Sequence, residues 1–209
     1  DGSTYSQTIP PGSTLDTFPE DGNYTMTYSV TDSVGNINTH TQALTVDRTD
    51  PVFSTTSDFV TTINENTTLP FNPFTGISAQ DTFEGTSTDL TSSISVSITG
   101  TLDDGSTYSQ TIAPGATLDT FPEDGNYTMT YSVIDSANND KSFTQSLTID
   151  TEEPTFTTNS DFVTTINEHN KNTFDPFNGI SAQDTFEGTL TDLTSSISVS
   201  ITGTLDDGS

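Results

Sequence analysis

The sequence has 209 residues, among them 30 acidic and three Lys or Arg side chains, which gives a formal net charge of −27. Because phosphate groups and anionic lipids are bound through basic patches, this balance excludes nucleic acid and an anionic membrane surface as partners. The chain has no cysteine, which excludes disulfides and thiolate metal sites. It also has no apolar run near the roughly 20 residues that span a bilayer, so we expect no membrane insertion in this segment.

The chain repeats itself with a period of 103 residues. The first nine residues return as residues 104–112, and residues 14–30 return letter for letter as residues 117–133. A period of this length corresponds to one ordinary domain and is far longer than a solenoid repeat of roughly 20–50 residues. We therefore predict tandem domains joined end to end.

Residues 1–47 are predicted to be the second half of a domain and to contain a β-hairpin. The turn residues Pro19-Glu-Asp-Gly22 precede a strand, and a second strand follows the polar loop 32–36. In the first strand the large apolar residues alternate with polar ones, which is the period of a half-buried strand. These alternating residues are Tyr24, Met26, Tyr28 and Val30.

Acidic links followed by proline mark the domain boundaries, at Asp50-Pro51 and again at Glu153-Pro154. Proline is tolerated at the first residue of a strand because it has no ladder donor to lose. The predicted division is a C-terminal half repeat at residues 1–47, a complete repeat at 48–150 and an N-terminal half repeat at 151–209.

The complete repeat is predicted to be an all-β domain, because no part of it has helical periodicity over three turns. About seven short strands with turn signals every 8–12 residues indicate an antiparallel β-sandwich. Residues 81–89 are predicted to be a loop, and residues 69–74 to be irregular. The predicted strands lie near residues 52–53, 59–63, 94–98, 108–112, 127–133 and 143–149.

Three motifs resemble bacterial Ig-like surface repeats, the HYR-related modules found in tandem in adhesins. They are Asp-x-x-Asp-Pro-Val-Phe at the boundary, Phe-x-Pro-Phe-x-Gly-Ile-x-Ala-x-Asp after it, and Gly22-Asn-Tyr-Thr-Met-Thr-Tyr-Ser-Val-Thr-Asp-Ser-Val-Gly-Asn36. In the second copy Asn138 replaces Gly35. The resemblance implies tandem immunoglobulin-like antiparallel β-sandwich repeats of 103 residues, no catalysis, and an extracellular or cell-surface role.

Calcium is the predicted cofactor, because hard cations take six to eight oxygen ligands and tolerate irregular geometry. In an Ig-like sandwich the incoming link, the loop after the second strand and the last loop share one end. The alternative is that these carboxylates are solvated turn residues. The candidate ligands are Asp47, Asp50, Asp81, Glu84, Asp89 and Asp135 at one junction, Asp150, Glu153, Asp184, Glu187 and Asp192 at the next, and Asp32 in the first unit.

Catalysis is not expected, because no catalytic group recurs with the repeat. His40 aligns with Phe143 and His169 aligns with Asn66, so neither histidine belongs to the repeated unit. A Ser-His-Asp arrangement would need a base in each unit. A self-formed isopeptide crosslink would need a fixed lysine, and neither Lys141 nor Lys171 is repeated.

We expect a structural spacer, stalk or filament repeat whose junctions are stiffened by calcium. Its partners are neighbouring repeats, and neighbouring chains of a fibre if the half repeats complete one another by strand addition. The alternative is an adhesive module that recognises carbohydrate, a protein or another surface through its aromatic and Thr side chains. Near-identical duplication favours the spacer.

Overall fold

A computed structural model describes residues 4–67, 69–167 and 174–204. These residues form thirteen strands, two short 3-10 turns and no α-helix, so the predicted all-β class is confirmed. No helix among them is long and apolar enough to cross a membrane. The strands are β1 (Gly22–Thr31), β2 (Ile37–Val46), β3 (Val52–Thr55), β4 (Thr62–Ile63), β5 (Ile77–Phe83), β6 (Thr86–Asp89), β7 (Ser95–Thr101), β8 (Thr107–Ile112), β9 (Gly125–Ile134), β10 (Asp140–Ile149), β11 (Thr155–Thr158), β12 (Ile180–Phe186) and β13 (Thr189–Asp192).

The complete repeat is a sandwich of two sheets. One sheet has three strands in the order β3-β5-β6, and the other has five in the order β4-β10-β9-β7-β8. Alternation decides which side chains enter the space between them, since successive residues of a strand point to opposite faces. Buried residues from both sheets form one apolar cluster, including Ala79 of β5, Ile98 of β7 and Met129 of β9.

Tyr131 is the largest fully buried side chain of this core. Its ring lies 5.7 Å from that of Phe59, measured between centroids. Its hydroxyl donates a 2.7 Å hydrogen bond to the carbonyl of Pro73. The side chain therefore fills the core and also satisfies its one polar group, as a buried tyrosine must. Burial raises the pKa of this phenol far above its ordinary value.

Two local predictions were wrong. Residues 81–89 are a hairpin and not a loop, because β5 continues to Phe83 and β6 begins at Thr86. All four residues of β6 are exposed, so the apolar alternation that reveals a strand is absent there. Of residues 59–63, only Thr62–Ile63 form a strand, and it pairs in parallel with β10. The sandwich is therefore antiparallel except at this one edge.

The half repeats keep only some strands of the complete repeat and expose residues whose copies are buried in it. Residues 198–204 and 4–9, the copies of β7 and β8, form no strand. Strands β1 and β2 form the predicted hairpin, in which Gly22 pairs with Val46. Tyr28 is 57% exposed, whereas its copy Tyr131 is fully buried. In residues 151–204, β11, β12 and β13 form a three-stranded sheet. Ile201 is 73% exposed there, whereas its copy Ile98 is fully buried.

Candidate metal centre at the junction between repeats

Three of the predicted ligands converge at the first junction. Asp47 follows β2 directly, Asp81 lies in β5, and Asp135 follows β9. One carboxylate oxygen from each lies within 4.8 Å of the other two. The group joins the link that enters the complete repeat, one strand of its first sheet and the last turn of its second sheet.

The turn after β9 holds Asp135 in a fixed orientation. Its Oδ1 accepts hydrogen bonds of 2.8 Å from the backbone N–H of Ala137 and of Asn139. Its Oδ2 accepts one of 2.8 Å from Asn139 Nδ2, which also donates to the carbonyl of Asp47 at 3.2 Å. Asn139 therefore ties the incoming link to the turn, a role that the sequence analysis missed.

Asp81 is the least solvated of the three, with 6% of its surface exposed. Its Oδ1 is buried and has no hydrogen-bond partner in the described structure. Burial, followed by the charges of Asp47 and Asp135, raises the pKa of this carboxyl, although a backbone hydrogen bond from Thr82 opposes the shift. A buried carboxylate is stabilised by a cation or by hydrogen bonds. The arrangement can therefore bind a hard cation through oxygen ligands.

The second junction repeats part of this arrangement. Asp150 and Asp184 are the copies of Asp47 and Asp81. Asp150 Oδ1 is buried without a hydrogen-bond partner in the described part of the chain. Burial raises the pKa of Asp150 most, and the charges of Asp184 and Asp124 raise it further. In the first unit Asp32 is the copy of Asp135, and it accepts hydrogen bonds from the N–H groups of Val34 and Asn36 and from Asn36 Nδ2, as Asp135 does in its own turn.

Several other candidate ligands lie elsewhere. Asp50 is exposed and forms a 3.3 Å salt bridge with Lys141, and Glu153 is also exposed. Asp89 and Asp192 each accept a 2.9 Å hydrogen bond, from the N–H groups of Thr91 and Thr194. Hydrogen bonding by these threonines lowers the pKa of both carboxyls. For Asp89 and Asp192 the turn-residue alternative describes the contacts that we observe.

Glu84 and Glu187 also have other partners. Glu84 Oε2 accepts a 2.8 Å hydrogen bond from Asn23 Nδ2 in the preceding unit. Glu187 Oε2 accepts the equivalent 2.8 Å bond from Asn126 Nδ2, and its Oε1 accepts a 3.2 Å bond from Asn126 N. Both acids therefore connect consecutive units directly.

Of the side chains considered in the sequence analysis, the histidine and the lysine that the structure describes have other surroundings. His40 is exposed in β2, and its ring lies 6.2 Å from that of Tyr28. Lys141 is exposed and paired with Asp50. His169 and Lys171 lie outside the described residues. The aromatic residues Tyr127 and Tyr131, which could stack on a sugar, are buried in the complete repeat.

Comparison with known proteins identifies the family. The sequence model of the bacterial Ig-like domain matches residues 2–48 and 71–151, more than half of the chain. No curated protein matches the chain. Domains of this family are typically non-enzymatic modules of surface or extracellular proteins. The predicted resemblance to bacterial Ig-like repeats is confirmed, without the narrower HYR relation: the chain belongs to the bacterial Ig-like domain family.

Proposed function

We propose that these repeats are spacers in the stalk or filament of a long extracellular protein, and that calcium stiffens the junctions between them. The observation that carries the proposal is Asp81, a buried carboxylate with an unpartnered oxygen, facing Asp47 and Asp135. Family membership supports the extracellular location.

Calcium fits the site better than a softer metal does. All three groups offer carboxylate oxygen, and soft or borderline metals prefer sulfur or imidazole ligands. The irregular origin of the ligands, from a link, a strand and a turn, suits a cation that tolerates six to eight oxygens at flexible angles. Asp47 and Asp135 would bind the ion with side chains already held by Thr49 N–H and by the turn.

The mechanical consequence follows from where the ligands lie. An ion bound to Asp47 on the link and to Asp81 and Asp135 on the sandwich would remove freedom at the joint. Contacts between domains of one chain are otherwise expected to allow relative motion. With strands of about ten residues at ~3.3 Å each, every unit would add roughly 35–45 Å of reach.

Small-angle X-ray scattering of the full chain, with calcium and with chelator, tests this function. We expect calcium to increase the radius of gyration and to narrow the range of shapes. Asp81→Asn should remove the part of the response that comes from the first junction. Asp89→Asn is the matched control, since it also removes one charge but keeps the hydrogen bond to Thr91, and it should respond as the wild type does. A radius of gyration and a range of shapes that are the same with calcium and with chelator would contradict the proposal.

The adhesive alternative requires accessible aromatic faces. In the complete repeat these faces pack in the core, which favours the spacer. A glycan array probed with the full chain separates the two functions, because a spacer should bind no glycan.

We propose neighbouring chains as a second kind of partner. The exposed face of β1 has the same sequence as the buried face of β9, and residues 151–204 match the residues that cover β9. One copy could therefore complete another by strand addition. Such a contact is heterologous and extends into a fibre.

Sedimentation velocity over a range of concentrations tests this assembly. We expect species larger than a monomer to grow with concentration. Val30→Asp should abolish them, because it places a charge on the exposed apolar face of β1. Ser29→Asp, with the same charge on the opposite face, should leave them unchanged. A monomer at every concentration would contradict assembly between chains.

A further inference from the structure

The hairpin turn between β5 and β6 contains an unusual residue. Glu84 has φ of 48° and the following Gly85 has φ of 76°. Tight two-residue turns with two positive φ angles favour Asn or Gly at the first position, and other residues are strained there. The second junction repeats the feature, with φ of 48° at Glu187. A recurrent local strain of this kind points to a role for the side chain.

The role is visible in the contacts. Glu84 binds Asn23, and Glu187 binds Asn126, with the same separation of 61 residues and the same 2.8 Å distance. A methyl group on Gly22 would lie 3.3 Å from Glu84 Oε1. The glycine thus leaves room for the carboxylate against the preceding unit.

The asparagine is itself oriented by its own hairpin. Asn23 Oδ1 accepts a 2.9 Å hydrogen bond from Thr45 Oγ1, directly across the β1–β2 pair. Asn126 Oδ1 accepts one of 3.1 Å from Thr148 Oγ1 in the same way. Because the amide oxygen is already engaged, the amide N–H groups face the next unit, where the glutamate accepts them.

From these contacts we infer that Glu84 with Asn23, and Glu187 with Asn126, form a latch that orients consecutive repeats without a metal ion. The inference rests on the proposed spacer function, because it concerns the same junction. The latch is separate from the carboxylate group of Asp47, Asp81 and Asp135, so the first junction has two points of attachment. Its partner is a repeat that presents Gly-Asn at the start of the strand before its last hairpin turn.

Distances between two spin labels on the full chain test the latch. The chain has no cysteine, so nitroxides attach only at the introduced Thr41→Cys and Ser109→Cys, both exposed. In chelator, Glu84→Asn should broaden the distance distribution, because Asn suits the turn but is too short to reach Asn23. We expect the ratio of molecules with the two units held together by this contact to molecules without it to fall roughly fivefold. This is the effect of losing one exposed hydrogen bond to a charged group.

A charge swap provides the control. Asn23→Asp should broaden the distribution by placing two carboxylates together, and Asn23→Asp with Glu84→Gln should restore it by reversing donor and acceptor. An unchanged distribution in Glu84→Asn, or no restoration by the swap, would overturn the latch. If calcium has no effect but Glu84→Asn broadens the distribution, the latch stands and the calcium proposal fails. If only calcium and Asp81→Asn change it, the latch fails.

Discussion

Calcium should raise the melting temperature of the complete repeat by about 10–20 °C. A ligand at one hundred times its dissociation constant stabilises the folded state by about 2.7 kcal/mol, and about 1 kcal/mol corresponds to roughly 4–8 °C for a domain of this size. Near-UV circular dichroism of the full chain is the measurement. The chain has no tryptophan, so the buried Tyr127 and Tyr131 report on the complete repeat.

Wild type and Asp81→Asn should differ in stability in opposite directions in chelator and in calcium. In chelator the variant should be more stable than the wild type by about 1 kcal/mol, because it removes a buried charge that Asp47 and Asp135 repel. With calcium it should be the less stable of the two, because it has lost a ligand. Asp89→Asn should follow the wild type in both conditions. A variant that is destabilised equally with and without calcium would contradict a metal role for Asp81.

The stability difference between wild type and Asp81→Asn should also depend on pH, in a direction set by the pKa of Asp81. The folded state raises the pKa of Asp81, so its proton is bound more tightly in the folded than in the unfolded chain. In chelator, acidification through this raised pKa protonates the folded wild type and relieves the repulsion. The stability difference between wild type and Asp81→Asn should therefore shrink as the pH falls.

Tyr131→Ala should destabilise the complete repeat by about 3–5 kcal/mol, the usual cost of removing a large aromatic side chain from a core. The ring contacts to Phe59 and Phe143 and the hydrogen bond to Pro73 are all lost. The expected fall in melting temperature is roughly 15–30 °C, measured on the same tyrosine signal.

Tyr28→Ala is the matched control, because Tyr28 stands in the same stretch Asn-Tyr-Thr-Met-Thr-Tyr-Ser-Val. Its side chain is mostly exposed, so the change should stay within about 0.5 kcal/mol. A small loss in Tyr131→Ala would contradict the packing of the complete repeat. An equal loss in both variants would mean that the face of β1 is covered in solution, as assembly between chains requires.

Alternation predicted most of the fold, because the sandwich buries one face of its long strands. Ile94, Val96 and Ile98 alternate with Ser and Thr in the sequence and are almost fully buried in the structure. The prediction failed at β6, whose exposed residues have no apolar partner to mark a face. It failed also at residues 59–61, where Phe59 packs its ring on Tyr131 although the backbone is not a strand.

The candidate site was predicted as a set of twelve acids, from which the structure gathers three at one point. The sequence did contain a pattern that marks Asp81, the most buried of the three. Asp81 is in phase with Ile77 and Ala79 at period two, which places its carboxylate on the buried face of β5. Asp89 belongs to a strand without a buried face, so its side chain stays in solvent.

Other features depended on contacts distant in sequence. Asn139 is recognisable only in retrospect, from the spacing Asp-x-x-x-Asn that occurs at Asp32 and again at Asp135. Its hydrogen bond to the Asp47 carbonyl joins residues 92 positions apart. The pairing of Glu84 with Asn23 likewise depends on how two units meet, which local pattern does not encode.

The polar strand β6 has a consequence for how these chains pack side by side. It forms one border of its sheet, where unpaired backbone groups would otherwise invite another strand. Its four residues are Thr, Ser, Thr and Asp, and it is too short to offer a long pairing surface. The charge of −27 adds repulsion between neighbouring molecules. Side-by-side association of chains through this sheet edge is therefore disfavoured, and the contacts that join units are concentrated at the ends of the units.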